Sequence, residues 1–308
     1  MFIESLINIF QPLLLLIILL GVSLGIIWGA LPGLSTTMAM ALLIGFTSTM
    51  EQNIAICFML SVYTGSVFGG AISAILINIP GTPDAVPTMI EGHALAKKGE
   101  AGTALGTAIF GSFIGNWIGI LILIFLMPFL IAIALNFKSW EMFLLSIIGI
   151  SVCGTMCSGE LPIKGWIVGW IGILIAMVGI DPIYGIERFT FNNPNFYDGF
   201  NYIPILIGLF GICEIVKTLP NKNKSPIPEK VGKLFLPLKK LLGYVKTSIR
   251  SGLIGTFIGA LPGAGANVAS FLSYDIGKKR AKPEEKKLWG KGSYEAIVSA
   301  EVANNANI

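Results

Sequence analysis

The chain has 308 residues, 54% of them hydrophobic and only 12% charged, with 37 Gly and a formal net charge of +4. Soluble domains average about 25% charged residues, so this composition excludes a water-exposed globule, and with it a nucleic-acid binder, a cytosolic enzyme and a disordered scaffold. The expected fold class is an all-α polytopic membrane protein embedded in a lipid bilayer.

The charges are segregated: residues 1–96 carry no Lys or Arg, whereas 217–250 hold nine and 278–291 hold seven of the 21. The N-terminus, Met1-Phe-Ile-Glu4, lacks the basic region of a signal peptide, so the first apolar run is expected to be retained. The uncharged run 5–50 is too long for one span and contains Pro32-Gly33, which removes a backbone donor and frees the chain direction. It therefore divides into a hairpin whose second arm opens with Ser35, Thr36 and Thr37. The next span begins near Gln52 and carries Tyr63 to Gly70, whose GxxxG spacing reads either as close helix packing or as a polar lining. Asn78-Ile-Pro80-Gly81-Thr82-Pro83 is a second break that restarts the chain at polar groups.

Lys97 and Lys98 follow that break, so residues 80–102 are expected on the cytoplasmic side. Thr103 to Ala134 leads outward as a long span that tilts, kinks or divides at Pro128. Trp140–Cys157, Trp166–Gly179 and Tyr202–Val216 continue the alternation, with 181–200 as an external loop and 217–250 as a basic cytoplasmic linker. Residues 251–274 form an uncharged run around Pro262-Gly263 with basic flanks at both ends, which predicts a re-entrant hairpin. Its first arm, Ser251 to Leu261, reaches about 16 Å, half the hydrocarbon thickness. Non-helical backbone at that depth survives only where it lines a cavity or is buried in protein, so the tip is a site candidate.

The tip occurs twice. Gly25-Ile-Ile-Trp-Gly29-Ala-Leu-Pro-Gly33 is echoed by Gly255-Thr-Phe-Ile-Gly259-Ala-Leu-Pro-Gly263, an offset of 230. The first copy has Glu4 and Glu51 near its ends and the second is bracketed by cations, so the copies are expected to face opposite ways. Inverted repeats with broken helices meeting near midplane are a secondary-transporter architecture. The division expected is a first repeat over 1–216, the linker 217–250, and the start of a second repeat over 251–308.

A helix restarting after each break points free N–H groups and its positive end into the cavity, which suits a carboxylate, while broken backbone carbonyls suit a cation such as Na⁺. The candidate residues are Pro32, Gly33, Ser35, Thr36 and Thr37, then Asn78, Pro80, Gly81 and Thr82, then Pro262, Gly263, Gly265 and Asn267. Helix capping alone is the competing role for the Ser and Thr hydroxyls. Cys57, Cys153, Cys157 and Cys213 all lie in apolar stretches and read as small buried residues, so no metal or other cofactor is expected beyond a coupling ion. The acids nearest the later spans, Glu141, Glu160, Asp181 and Glu214, sit at their ends, and His93 lies beside Glu91 in the expected cytoplasmic loop. No catalytic constellation results, and an enzyme is not expected; a channel or a non-transporting membrane scaffold is the alternative that the repeat leaves open.

The PGLST and PGAGAN tips, the segment INIPGTPDAVPTMIEGHALAKKGEAGTALG and the segment SYEAIVSAEVANNA together resemble the large permease subunit of tripartite tricarboxylate transporters, from about residue 15 to the last residue. The resemblance implies a multi-pass protein of the bacterial inner membrane that imports tricarboxylates or related carboxylates, driven by a Na⁺ or H⁺ gradient. It also implies two partners, a small membrane subunit and a periplasmic substrate-binding protein. It adds Asn304 and Asn305 to the candidate site. Ser35 and Thr36 stand where the family commonly shows Gly then Pro, a departure that bears on substrate preference. Family members carry on through a full second half, so the sequence reads as the N-terminal part of a permease with its second repeat incomplete, and an inactive fragment is a further alternative.

Overall fold

The computed structural model describes residues 10–308 apart from 33, 35, 137, 142, 145, 149–150, 152–161, 182–183, 201–203, 206, 213–215, 217–231, 235 and 262–264. Pro262, Gly263, Gly33 and Ser35 of the expected site, and three of the four cysteines, thus lie outside the described residues. The described chain forms α1 (Pro12–Ala30), α2 (Thr36–Thr47), α3 (Gln52–Ile77), α4 (Val86–Ala96), α5 (Ala101–Asn136) and α6 (Pro162–Ala176). After a short antiparallel ribbon, β1 (Gly179–Ile180) with β2 (Glu187–Arg188), come α7 (Leu238–Leu242), α8 (Val245–Gly259), α9 (Gly265–Arg280), α10 (Pro283–Lys286) and α11 (Tyr294–Ala306).

Among the described residues three helices, α1, α3 and α5, are long and apolar enough to cross a membrane. α1 contains no charged residue, and its 19 residues span about 28 Å. Leu16, Leu19, Leu24 and Ile27 stand exposed on its outer side, while Gly21, Gly25 and Gly29 are buried on the inner one. Such an apolar exterior is a liability in water and the normal surface in lipid. α5 passes through Pro128 as one element instead of dividing, as spans can when neighbours re-satisfy the freed backbone groups.

Small residues set how the helices pack. A Cβ at Gly25 would collide with the Val62 carbonyl and one at Gly29 with Ser66, so the α1 and α3 backbones touch, and the contacts advance together along both helices. The same spacing recurs further on: a Cβ at Gly255 would collide with the Ala303 carbonyl, and one at Gly259 would lie 2.7 Å from the Asn307 carbonyl. Thr247 donates to Glu295 (2.6 Å) and Ser251 bonds Ser299 (3.2 Å), so α8 and α11 also run side by side in one direction. α2 returns antiparallel along α3, with Thr36 bonded to Ser66 (2.9 Å) and Thr47 reaching Met59 Sδ (3.4 Å). α9 returns along α11, where Ser273 donates to the Ser299 carbonyl (2.8 Å) and Ala269 packs with Ala303.

Residues 80–96, expected as a cytoplasmic loop, are largely buried. Asn78 adopts a left-handed backbone (φ 58°) at the end of α3 and turns the chain back. Gly81 then donates its N–H to the Gly70 carbonyl (3.3 Å), in a gap so narrow that a Cβ would strike Gly29 O and Gly70 Cα. From there α4 climbs beside α3, with Met89 packed by Ala74 and Gly92 by Ile75. Ala71, Ile75, Leu95, Ala104, Ala108 and Ile297 close a core among α3, α4, α5 and α11. Glu91 is fully buried in it, its Oε1 accepting from Gly290 N–H (2.5 Å) and the Tyr274 hydroxyl (2.6 Å), its Oε2 from Gly292 N–H (3.0 Å) and Ser293 N–H (2.9 Å). α4 and α11 therefore run antiparallel, since Thr88 one turn earlier donates to Glu301 (2.6 Å).

Candidate functional site

A cavity of about 420 Å³ opens where three chain breaks meet. Thr36 at the start of α2 lines one side, Thr82, Pro83 and Asp84 of the α3–α4 turn a second, and Gly265, Ala266 and Asn267 at the start of α9 a third; Tyr63 and Val67 of α3 and Asn307 complete it. Both α2 and α9 present their N-terminal ends here, because each starts directly after a break. The first N–H groups of a helix have no intrahelical acceptor and carry the positive end of its dipole, so two such ends favour an anion.

The expected residues separate clearly. Thr36, Thr82, Gly265 and Asn267, from three distant sequence segments, line this one cavity. Pro80 and Gly81 are buried in the turn that holds Thr82 in place, and Asn78 closes α3. Pro32 is half-buried in the turn after α1, and Thr37 belongs to α2. Asn304 is buried at the back of the site, beside Asp84. Asn305 points elsewhere, into a second and mostly apolar cavity of about 440 Å³ shared with Asn116, Thr256 and Gly259.

Two carboxylates escaped the sequence reading. Asp84 is 7% exposed and lines the cavity; Glu301 is 1% exposed and lies behind it in α11. Glu301 accepts from Thr88 (2.6 Å) and from Ser112 of α5 (3.2 Å), while Asn305 Nδ2 donates to Ser112 Oγ (2.9 Å) and to the Glu301 carbonyl (2.9 Å). Among the described residues neither acid joins an ion pair. Glu301, Asn304 and Asn305 fall at i, i+3 and i+4, one face of a helix, and that spacing was the signal that could have found Glu301. Asp84 stands between two prolines in a segment that reads as loop, and nothing local marks it as buried.

Polar groups concentrate at the site: the Thr82 and Asn304 side chains lie against the Asp84 carboxyl, and Asn307 Oδ1 has no partner among the described residues. Buried polar groups are nearly always hydrogen-bonded, so such a concentration at one cavity marks where a polar ligand would be held.

The profile of the Tripartite tricarboxylate transporter TctA family matches residues 15–308. The chain is 36% identical over 289 residues to a protein of Agrobacterium vitis described as "Uncharacterized 52.8 kDa protein in TAR-I ttuC' 3'region", a match that covers 93% of this chain and 57% of that protein. The chain thus spans a little over half the length of that relative. No solved structure matches it.

Proposed function

The chain belongs to the tripartite tricarboxylate transporter TctA family, and from that premise we propose that it is the large membrane component of a secondary transporter for tricarboxylates and related carboxylates. The observation that carries the proposal is the meeting of two helix N-termini and the Thr82 turn at one cavity. A substrate carboxylate sits there against the free N–H groups of α2 and α9, with Thr36 and Asn267 supplying hydroxyl and amide contacts. The matched packing of α1 on α3 and of α8 on α11, together with the antiparallel run of α4 and α11, supports two repeats of opposite orientation rocking about that cavity. An ion gradient supplies the driving force. A soluble binding protein delivers the substrate and a small membrane subunit completes the assembly, in the inner membrane of a bacterium.

The test is calorimetric titration of the purified chain with citrate, with acetate as the monocarboxylate control. Asn267→Leu and Thr36→Val each remove one hydrogen bond to a charged ligand and are expected to weaken citrate binding about tenfold or more. Unchanged affinity in both variants would move the site elsewhere.

A further inference from the structure

After α6 the described residues from Val178 to Gly199 fold on themselves. Ile180 N–H donates to the Tyr197 carbonyl (2.9 Å) and Gly179 lies against the Gly199 backbone, so the loop is closed at its base. Further in, Asp181 N–H donates to the Ile186 carbonyl (2.9 Å), Asn193 N–H to that of Thr190 (2.9 Å) and Phe196 N–H to that of Asn193 (3.0 Å). Its charges are also matched internally. Arg188 lies 3.4 Å from Asp181, and Glu187 accepts from the hydroxyls of Thr190 (2.8 Å) and Tyr197.

Several large apolar side chains of the loop are instead outside. Phe191 is 83% and Tyr184 76% exposed, and Ile186 and Phe189 are exposed as well, whereas Thr190, between the two phenylalanines, is 3% exposed. A water-facing loop has the reverse arrangement. The backbone imposes it: Phe189 (φ 52°) and Phe191 (φ 51°) are both left-handed, a conformation that bulky side chains avoid and that persists where surroundings or function require it. The helix that leads into the loop sets its depth. α6 has 15 residues, about 22 Å, and carries Lys164 in its first turn, against a hydrocarbon thickness of about 30 Å. With the Lys164 ammonium at one boundary, the far end of α6 stops short of the other and draws the loop down to it.

We propose that this loop is an interfacial anchor, in which Tyr184, Ile186, Phe189 and Phe191 sink between the lipid headgroups and the acyl chains. Apolar and aromatic side chains gain by burial at that boundary, and the internal hydrogen bonds spare the loop the cost of bringing backbone groups there. Because the loop's ion pair and carboxylate contacts are internal, the anchor needs no anionic lipid. A soluble protein is the other occupant that exposed aromatics could take; the short reach of α6 favours lipid. The anchor does not depend on what the protein carries.

Spin labels test it in the full chain, reconstituted in phosphatidylcholine vesicles after Cys57, Cys153, Cys157 and Cys213 are each replaced by alanine. Labels enter through Ile186→Cys or Phe191→Cys, with Leu19→Cys on the outer side of α1 as the lipid reference and Lys287→Cys, just past α10, as the water reference. Oxygen concentrates in lipid and a nickel chelate in water, so the ratio of their collisions with a label ranks its depth. The labels at 186 and 191 are expected to favour oxygen as the one at 19 does, severalfold more than the one at 287. Phe189→Asn combined with Phe191→Asn separates anchoring from folding, because Asn accepts the left-handed backbone better than Phe and its amide resists burial in lipid. This double variant is expected to keep the parent's Tm in detergent and to lose the oxygen preference of a label at 186. Nickel collisions at 186 and 191 as frequent as at 287 would put the loop in water, and infrequent collisions with both reagents would put it against protein. Either result overturns the anchor, as does a label at 186 that ignores the double variant.

Discussion

Glu91 shows how much one side chain can hold in this protein. Its carboxylate accepts four hydrogen bonds, three of them from the backbone at Gly290, Gly292 and Ser293 just before α11. An anion there also meets the positive end of the helix. Glu91→Ala would leave those buried donors unpaired and is expected to cost about 3 kcal/mol or more, visible as a lowered Tm of the purified chain; an unaltered Tm would mean the donors find other partners. In the sequence Glu91 and His93 sit among charges and turn residues and look like loop. Burial there depends on partners some 200 positions away, which no local pattern carries. The polar tips were legible for the opposite reason: Pro-Gly inside an uncharged run is a local contradiction, and it marks Thr36, Gly265 and Asn267 directly.

At the level of elements, glycine spacing decides which helices touch. Gly25→Ala would push a methyl into the Val62 carbonyl, and Gly255→Ala into that of Ala303, whereas Gly45 on α2 faces open space. Overpacking of this kind costs about 1–3 kcal/mol, so the first two variants are expected to melt lower than the parent while Gly45→Ala melts alike. Equal Tm values for all three would show that the helices separate freely. The spans α1, α3 and α5 were readable from uncharged length alone. The ascent of α4 was not, because it follows from the left-handed Asn78 and the narrow seat of Gly81, and both need the neighbouring backbone of α1 and α3 to become visible.

Across the whole molecule, Lys98 donates to the Lys291 carbonyl (2.6 Å) and Lys240 lies over the Tyr294 ring, 4.7 Å from its centroid. Three basic segments remote in sequence therefore share one end of the bundle. Cysteines placed at Lys98, Lys240 and Lys291 are expected to react with a membrane-impermeant maleimide from the same side, the cytoplasmic one if positive loops set the orientation. Labelling from opposite sides would break the arrangement apart. The charge segregation that made this end legible is a property of composition, while the inward acids Asp84 and Glu301 are isolated residues and leave almost no trace in it.

The Glu91 nest also imposes an order in time. Gly290 is 199 residues downstream of Glu91, so at about 5–20 residues per second the ribosome needs roughly 10–40 s to deliver the first of the backbone donors. Until then the nascent α4 carries an unsatisfied carboxylate that cannot settle among apolar neighbours. The packing of α4 between α3 and α5 is therefore completed only when the segment leading into α11 arrives.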